Sequence, residues 1–299
     1  MPELPDVELY LSALRARVAG HILERVRLGT PFLLRSVEPP LSQAEGRLVT
    51  GFRRIGKRIV WELASDLFLV FHLMIAGRFK WRDRGASIPR KVGLAAFDFA
   101  HGTLLLTEAA TQKRASLHVV QGEAALASFN PGGLEVMTSD IAAFTAALQQ
   151  ESHTLKRALT DPHLFSGIGN AYSDEILHRA RLSPFKLTRQ LTPHETSALH
   201  AAVLTTLVEW TARLKEEAGE TFPEKVTAFH EGMAVHGRFG KPCPRCSSPV
   251  QRIVHGEHEV NYCPSCQTEG RLLADRALSR LLKEDWPKTL DELERRRRG

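Results

Sequence analysis

Apolar residues at Leu4, Val7, Leu11, Leu14 and Val18 recur at spacings of 3, 4, 3 and 4, which predicts one helical seam over 4–18, stopped by Gly20. From about 22 to 127 the pattern changes to short apolar runs separated by turn residues. RIVWEL (58–63), LFLVFHLMI (67–75), LAAFDFA (94–100) and TLLLTEA (103–109) predict β-strands, several with period-two alternation, and together a sandwich or barrel. Asn130-Pro131-Gly132-Gly133 is a cluster of turn residues that marks a domain boundary. Beyond it, helical patterns cover 139–150, 152–160, 170–181 and, after Thr192-Pro193, 193–217. A loop near 219–232 leads into a Cys-rich module at 235–266, and 270–284 predicts a further amphipathic helix. The closing RRRRG is a charge run of the kind usually found as a solvated tail.

Composition adds little: 43% hydrophobic and 25% charged residues describe an ordinary soluble globular chain. A formal net charge of +6 suggests a polyanionic partner such as nucleic acid, and fits a slightly basic enzyme without one equally well. No stretch approaches the roughly 20 apolar residues needed to span a bilayer, and MPELPDVELY has neither a basic start nor an apolar core like a secretory signal. The expectation is a cytoplasmic protein without a membrane partner, whose four cysteines are not paired as disulfides.

Those cysteines carry the strongest local signal. Cys243-Pro-Arg-Cys246 and Cys263-Pro-Ser-Cys266 each present two sulfurs on one tight turn, and two such turns complete a tetrahedral shell suited to Zn2+. With all four positions filled by protein, the metal is expected to be structural. A second signal lies in Ser166-Gly167-Ile168-Gly169-Asn170. The glycines allow a tight turn, and Asn170 is a good N-cap for the helix that follows, whose free N–H groups suit a phosphate. An ordinary capped helical connection explains the same residues. The segment is no dinucleotide fingerprint, and His194-Glu195 lacks a histidine at the spacing of a zinc protease.

Pro2-Glu3-Leu4-Pro5-Asp6 reads first as a well-started helix, with prolines and carboxylates in its opening turn. A chemical reading needs one step more. Met1 precedes a small residue; its removal leaves Pro2 with a free secondary amine, whose pKa near ~8 keeps a useful fraction neutral at pH 7. Attack of such an amine on a sugar C1′ gives an iminium that is cationic without an added proton, an electron sink for β-elimination. Glu3 is adjacent and suited to proton transfer.

Taken in order, these motifs resemble the formamidopyrimidine-DNA glycosylase/endonuclease VIII family. Pro2 to Glu8 matches its N-terminus, Lys57 its β-domain lysine, and His72-Leu73 with Gly77 its "HL…G" strand. Leu155 to Pro184 looks like its helix–two-turns–helix, and the ribbon ends in its Cys-x-x-Cys-Gln at 263–267. The resemblance implies an α+β fold: an N-terminal helix on a β-sandwich, then a helix–two-turns–helix domain with a C-terminal zinc ribbon. It divides the chain into a catalytic domain (1–130), a DNA-binding helical domain (131–232), the ribbon (233–269) and a helical extension (270–299). It implies a monomeric, bacterial-type, nucleoid-associated enzyme acting on duplex DNA with oxidised bases or abasic sites, using one structural zinc and no catalytic metal or organic cofactor. Pro2, Glu3 and Lys57 would be catalytic; His72, Ile75, Lys156, Asn170 and His258 would contact DNA; Cys243, Cys246, Cys263 and Cys266 would hold the metal.

The sequence also departs from the family pattern. Ile75 stands where a wedge methionine is common. Ala110 to Ala115 replaces the loop whose Arg and Phe fill the space of the flipped base. His258 occupies the ribbon's phosphate-binding arginine position, and about 30 residues follow the ribbon. Leu4 favours the branch that excises oxidised purines such as 8-oxoguanine and formamidopyrimidines over the branch for oxidised pyrimidines. A non-enzymatic zinc-ribbon protein that binds damaged DNA is the more distant alternative, opposed by Pro2-Glu3. A metal-dependent nuclease finds no carboxylate/histidine cluster to support it.

Overall fold

A computed structural model describes residues 1–255, 258–274 and 287–298. The chain forms two compact units. The first joins Met1–Gly132 to Val208–Ala228, and the second joins Gly133–Leu207 to the chain from Phe229 onward.

The first unit opens with helix α1 (Leu4–Val18). The predicted seam is buried along its whole length, and Tyr10 is buried with it. Gly20, at φ +81, ends the helix by turning the chain through a conformation that side chains resist. Nine strands follow: β1 (Ile22–Leu23), β2 (Arg25–Leu28), β3 (Arg47–Ile55), β4 (Arg58–Leu63), β5 (Leu67–His72), β6 (Gly77–Arg82), β7 (Gly93–Phe99), β8 (Gly102–Glu108) and β9 (Ser116–Gln121). They form two antiparallel sheets, ordered β1-β3-β4-β5-β9 and β2-β7-β8-β6. Trp61 and Phe71 from the first sheet meet Phe97 and Phe79 from the second at ring distances of 5.2–5.4 Å. Such pairs add about 0.5–1.5 kcal/mol each beyond the apolar area they bury. The core of this unit is thus an aromatic layer between two sheets. A short helix, α2 (Glu123–Ala127), closes the segment.

The apolar run 67–75 is not one strand. It leaves the first sheet at His72, turns through Leu73–Ala76 and enters the second sheet at Gly77. The Gly77 N–H donates to the Leu73 carbonyl at 2.9 Å, and a Cβ on Gly77 would lie 2.3 Å from that oxygen. Glycine is therefore required for the close approach that makes the turn.

In the second unit, α3 (Ile141–Gln149) is capped by Asp140, and α4 (Leu155–Thr160) by Thr154. α5 (Asn170–Ala180) follows a turn in which Gly167 adopts φ +81. α6 (Pro193–Ala218) starts at a capping box in which Thr192 and Glu195 bond each other's backbone N–H, at 3.2 and 2.9 Å. Its first part belongs to this unit and the part from Val208 to the first. The ribbon is an antiparallel hairpin of β10 (Gln251–His255) and β11 (His258–Tyr262), followed by α7 (Pro264–Gln267).

The helix expected over 270–284 is not found where it is described: Arg271 pairs with Thr289 in an isolated bridge, and the Leu272 N–H donates to the Lys288 carbonyl. Residues 275–284 of that expectation lie outside the described residues. The chain ends in α8 (Leu290–Arg298), so the arginine run is helical and its carboxylates occupy the first turn, as the helix dipole favours. No helix among the described residues is long and apolar enough to cross a membrane.

Candidate functional site

In the first unit, Pro2 is buried and Glu3 is 3% exposed at the start of α1. Asp6, fully buried, accepts the Glu3 N–H at 2.8 Å, and the two residues form a reciprocal capping box. The helix start therefore fixes the backbone of the two residues that matter most for the expected chemistry. The terminal amine here belongs to Met1, one residue ahead of Pro2. Burial lowers its pKa below 8.0, and Arg78 and Lys57 lower it further, against the opposing carboxylates of Glu3 and Asp6.

Lys57 lies in the two-residue turn between β3 and β4, where Gly56 takes φ +59. His72 ends β5. Its pKa is pushed down to about 4, first by burial and then by Arg58, Lys57 and the terminal amine. His72 is therefore neutral near pH 7, with its ring nitrogens available for hydrogen bonding and carrying no positive charge. The three charges that act on it place Arg58, Lys57 and the terminal amine near His72. Ile75 sits at the tip of the β5–β6 turn, 58% exposed.

Two members of this region were not singled out from sequence. Arg78 donates to the Ile75 and Gly77 carbonyls at 3.0 and 2.6 Å, which ties the turn to the surroundings of the terminal amine. Its only signal was a cation directly after Gly77. Buried Glu108 organises the loop after β8: its carboxylate accepts the Arg114 and Ala115 N–H groups at 3.0–3.1 Å. Lys113 bonds the Glu108 and Ala110 carbonyls, and Arg114 bonds Gln112. The loop is short and bonded to itself, and it offers no aromatic residue.

In the second unit, Asn170 is the first residue of α5 and Gly169 is the cap, a correction of one position to the sequence reading. The Asn170 carbonyl accepts from Lys156 and Ser173, while its half-buried side-chain amide makes no hydrogen bond among the described residues. Lys156 differs from expectation more seriously. It is 7% exposed, and its ammonium bonds the Asp174 carboxylate and the Asn170 carbonyl, the latter at 2.6 Å. It is a tie inside the unit, not a group presented to a phosphate. The backbone of His258 begins β11 opposite His255, but its side chain lies outside the described part of the structure. Arg252, opposite Asn261 in the ribbon, stacks over Phe239 and pairs with Glu259.

The sulfurs of Cys243, Cys246, Cys263 and Cys266 all lie within 4.8 Å of one another, with close pairs at 3.4 and 4.0 Å, and none is in a disulfide. A tetrahedral zinc shell with Zn–S near ~2.3 Å places its sulfurs about 3.8 Å apart, so the set fits the metal. Gln267 fastens the ribbon: its side chain accepts the Cys263 N–H at 2.8 Å and donates to the Leu182 carbonyl at 2.9 Å. Cys243→Ser should drop the zinc content well below one per chain and weaken DNA binding, while the far-ultraviolet signal of the β-sheets persists. Metal analysis showing active, soluble wild-type protein without zinc would contradict this.

The comparisons with known proteins agree with these features. Residues 1–118 match the family model of the formamidopyrimidine-DNA glycosylase N-terminal domain, 133–218 its H2TH domain, and 240–268 the zinc finger found in FPG and IleRS. The formamidopyrimidine-DNA glycosylase of Thermus thermophilus is 33% identical over 278 residues, covering 90% of this chain and 100% of the relative. That of Halalkalibacterium halodurans is 30% identical over 280 residues, again across its full length. A Lactococcus lactis FPG variant solved with Fapy-dG-containing DNA superposes with a TM-score of 0.80 at 25% identity, over 89% of this chain and 100% of that one. The wild-type L. lactis protein bound to DNA with an oxidised pyrimidine gives 0.79. The chain belongs to the formamidopyrimidine-DNA glycosylase family. It is a DNA-binding glycosylase of base excision repair that carries a zinc-finger module.

Proposed function

We propose that this protein is a bifunctional glycosylase/AP lyase that excises oxidised purines, such as 8-oxoguanine and formamidopyrimidines, from duplex DNA. The observation that carries the reading is the buried Pro2-Glu3 start of α1, set among Lys57, Arg78 and a neutral His72. Once Met1 is removed, the Pro2 amine is expected to share the burial that lowers the pKa of the Met1 amine and so favours the neutral, nucleophilic form.

The nucleotide must leave the stack before C1′ can be reached, and exposed, apolar Ile75 is suited to occupy the gap. The Pro2 nitrogen then bonds to C1′ as the bond from C1′ to the base breaks, and the proton that the amine sheds leaves with the base. Glu3 delivers a proton to the ring oxygen as the sugar opens, which leaves a Pro2–C1′ iminium. The cation acidifies C2′; loss of that proton expels the 3′ phosphate, and a second elimination expels the 5′ phosphate. Water then hydrolyses the imine and regenerates the amine. Lys57 and the Asn170 amide bind backbone phosphates, His72 donates a neutral hydrogen bond, and zinc holds the ribbon in shape. Lys156 acts indirectly, by anchoring the helix that begins at Asn170. We expect a monomer that meets its DNA in the bacterial nucleoid.

The test is excision on otherwise identical duplexes carrying 8-oxoguanine, formamidopyrimidine, thymine glycol or a plain abasic site. The proposal predicts removal of both purine lesions and cleavage at the abasic site with phosphate left on both sides of the gap. Preference for thymine glycol would replace it with the oxidised-pyrimidine reading, and binding without any excision with the non-enzymatic one.

A further inference from the structure

Helix α5 turns three polar side chains inward, Asp174, Glu175 and His178, and all three end on the ribbon or on the segment that leads into it. Asp174 accepts from His236 Nδ1 at 2.9 Å and from the backbone and side-chain N–H groups of Asn261 in β11 at 3.1 and 3.2 Å. Glu175 accepts the N–H groups of Ala234, Val235 and His236 at 2.7–2.9 Å. His178, one turn beyond Asp174 on the same face, places Nε2 3.2 Å from the sulfur of Cys243. Asp174 and Glu175 are explained as anchors for backbone and side-chain donors. His178 is different, because its partner is one of the four metal-binding sulfurs.

We propose that His178 is a positioning residue for the zinc centre, donating its Nε2–H to the Cys243 thiolate and so fixing the metal to the C-terminal end of α5. The direction of the bond follows from chemistry: a thiolate bound to zinc has no proton to give, so the imidazole nitrogen facing it must carry one. His178 does not act as a further ligand, since four sulfurs already complete the shell. Four thiolates around one divalent ion leave a net negative charge, and both Cys243 and His178 are buried from the water that would otherwise stabilise it. An N–H aimed at one sulfur offsets part of that charge and orients the ligand, the role that outer partners play around protein-bound metals.

The contact also joins two functions on one rigid element. α5 begins at Asn170, and His178 lies eight residues on, about 12 Å along the helix axis. Lys156 and Asp174 brace the same helix between them. Metal occupancy at one end is thus linked to the anchoring of the helix whose other end presents the Asn170 amide.

The proposal rests on the four cysteines binding zinc, which metal analysis of the wild-type protein tests separately. The experiment compares full-length wild type, His178→Phe and His178→Gln, loaded with zinc and titrated with a chromophoric chelator. His178→Phe fills the same space without a donor and should release zinc about 10–100-fold more readily, whereas His178→Gln keeps an N–H and should recover most of the difference. With cobalt in place of zinc, the sulfur-to-metal charge-transfer band should shift in His178→Phe and return in His178→Gln, a change that loose packing alone would not produce. Nitrogen-15 spectra of wild-type imidazoles test the proposal even if the phenylalanine variant fails to fold, and should show His178 protonated at Nε2. Zinc retention within about twofold of wild type with an unchanged cobalt band, or a His178 ring protonated only at Nδ1, would overturn the assignment. Wild-type protein that binds no zinc would overturn the ribbon reading itself.

Discussion

Replacing Pro2 with glycine should cut borohydride trapping of the protein on abasic DNA roughly tenfold or more, with base excision falling at least as far. Glycine leaves a primary amine in place, so the nucleophile is weakened and not abolished; the ring that makes its iminium obligatorily cationic is what is lost. A stronger result should follow from a chain that keeps extra residues ahead of Pro2. There the nitrogen is an amide, its lone pair is delocalised into the carbonyl, and trapping should vanish while the fold and Glu3 remain intact. The pH profile carries a sign as well. The Met1 amine, one residue ahead, is lowered below 8.0 first by burial, with Arg78 and Lys57 adding to it against Glu3 and Asp6, and the Pro2 amine is expected to follow. An amine reacts in its neutral form, so single-turnover trapping should rise with pH through a value below 8.0 and level off above it. Trapping in the N-terminally extended protein equal to that of wild type would remove Pro2 from the mechanism.

Glu3→Gln should lose on the order of 10²–10⁴-fold in excision of a damaged base, the usual scale for removing a positioned acid–base group. It should retain much of its cleavage at preformed abasic sites. The asymmetry follows from where protons are needed. A damaged nucleotide needs a proton at the ring oxygen for the sugar to open as its base departs, while a preformed abasic site already opens to the aldehyde without help. Glutamine keeps the size of a side chain that is 3% exposed and sits at a helix start already held by Asp6, so α1 should form as before. Equal loss of both activities would mean that Glu3 acts on the sugar throughout; full excision activity would exclude it as the proton donor.

Much of this was legible in the residue pattern. The α1 seam is visible because five apolar residues obey one period and all five are buried. The cysteines are visible because two residues between thiolates leave few other geometries. What escaped depended on contacts between residues distant in sequence. The end of β5 is invisible inside an unbroken apolar run; it is set by Gly77, whose missing side chain lets the backbone fold onto Leu73. Lys156 looks like any helix lysine until Asp174, eighteen residues later, is brought against it. Glu108 and Arg78 are unremarked charges in strands until loop and turn carbonyls and N–H groups converge on them. His178 likewise has a meaning only once Cys243 is beside it.

The central claim is that the amine of Pro2, and no lysine, bonds to the sugar. Mass-spectrometric mapping of the borohydride-reduced protein–DNA adduct tests it most directly. The account predicts the reduced sugar on the N-terminal peptide, at Pro2, in protein whose Met1 has been removed. An adduct found on Lys57, or on any other lysine with Pro2 unmodified, would contradict it.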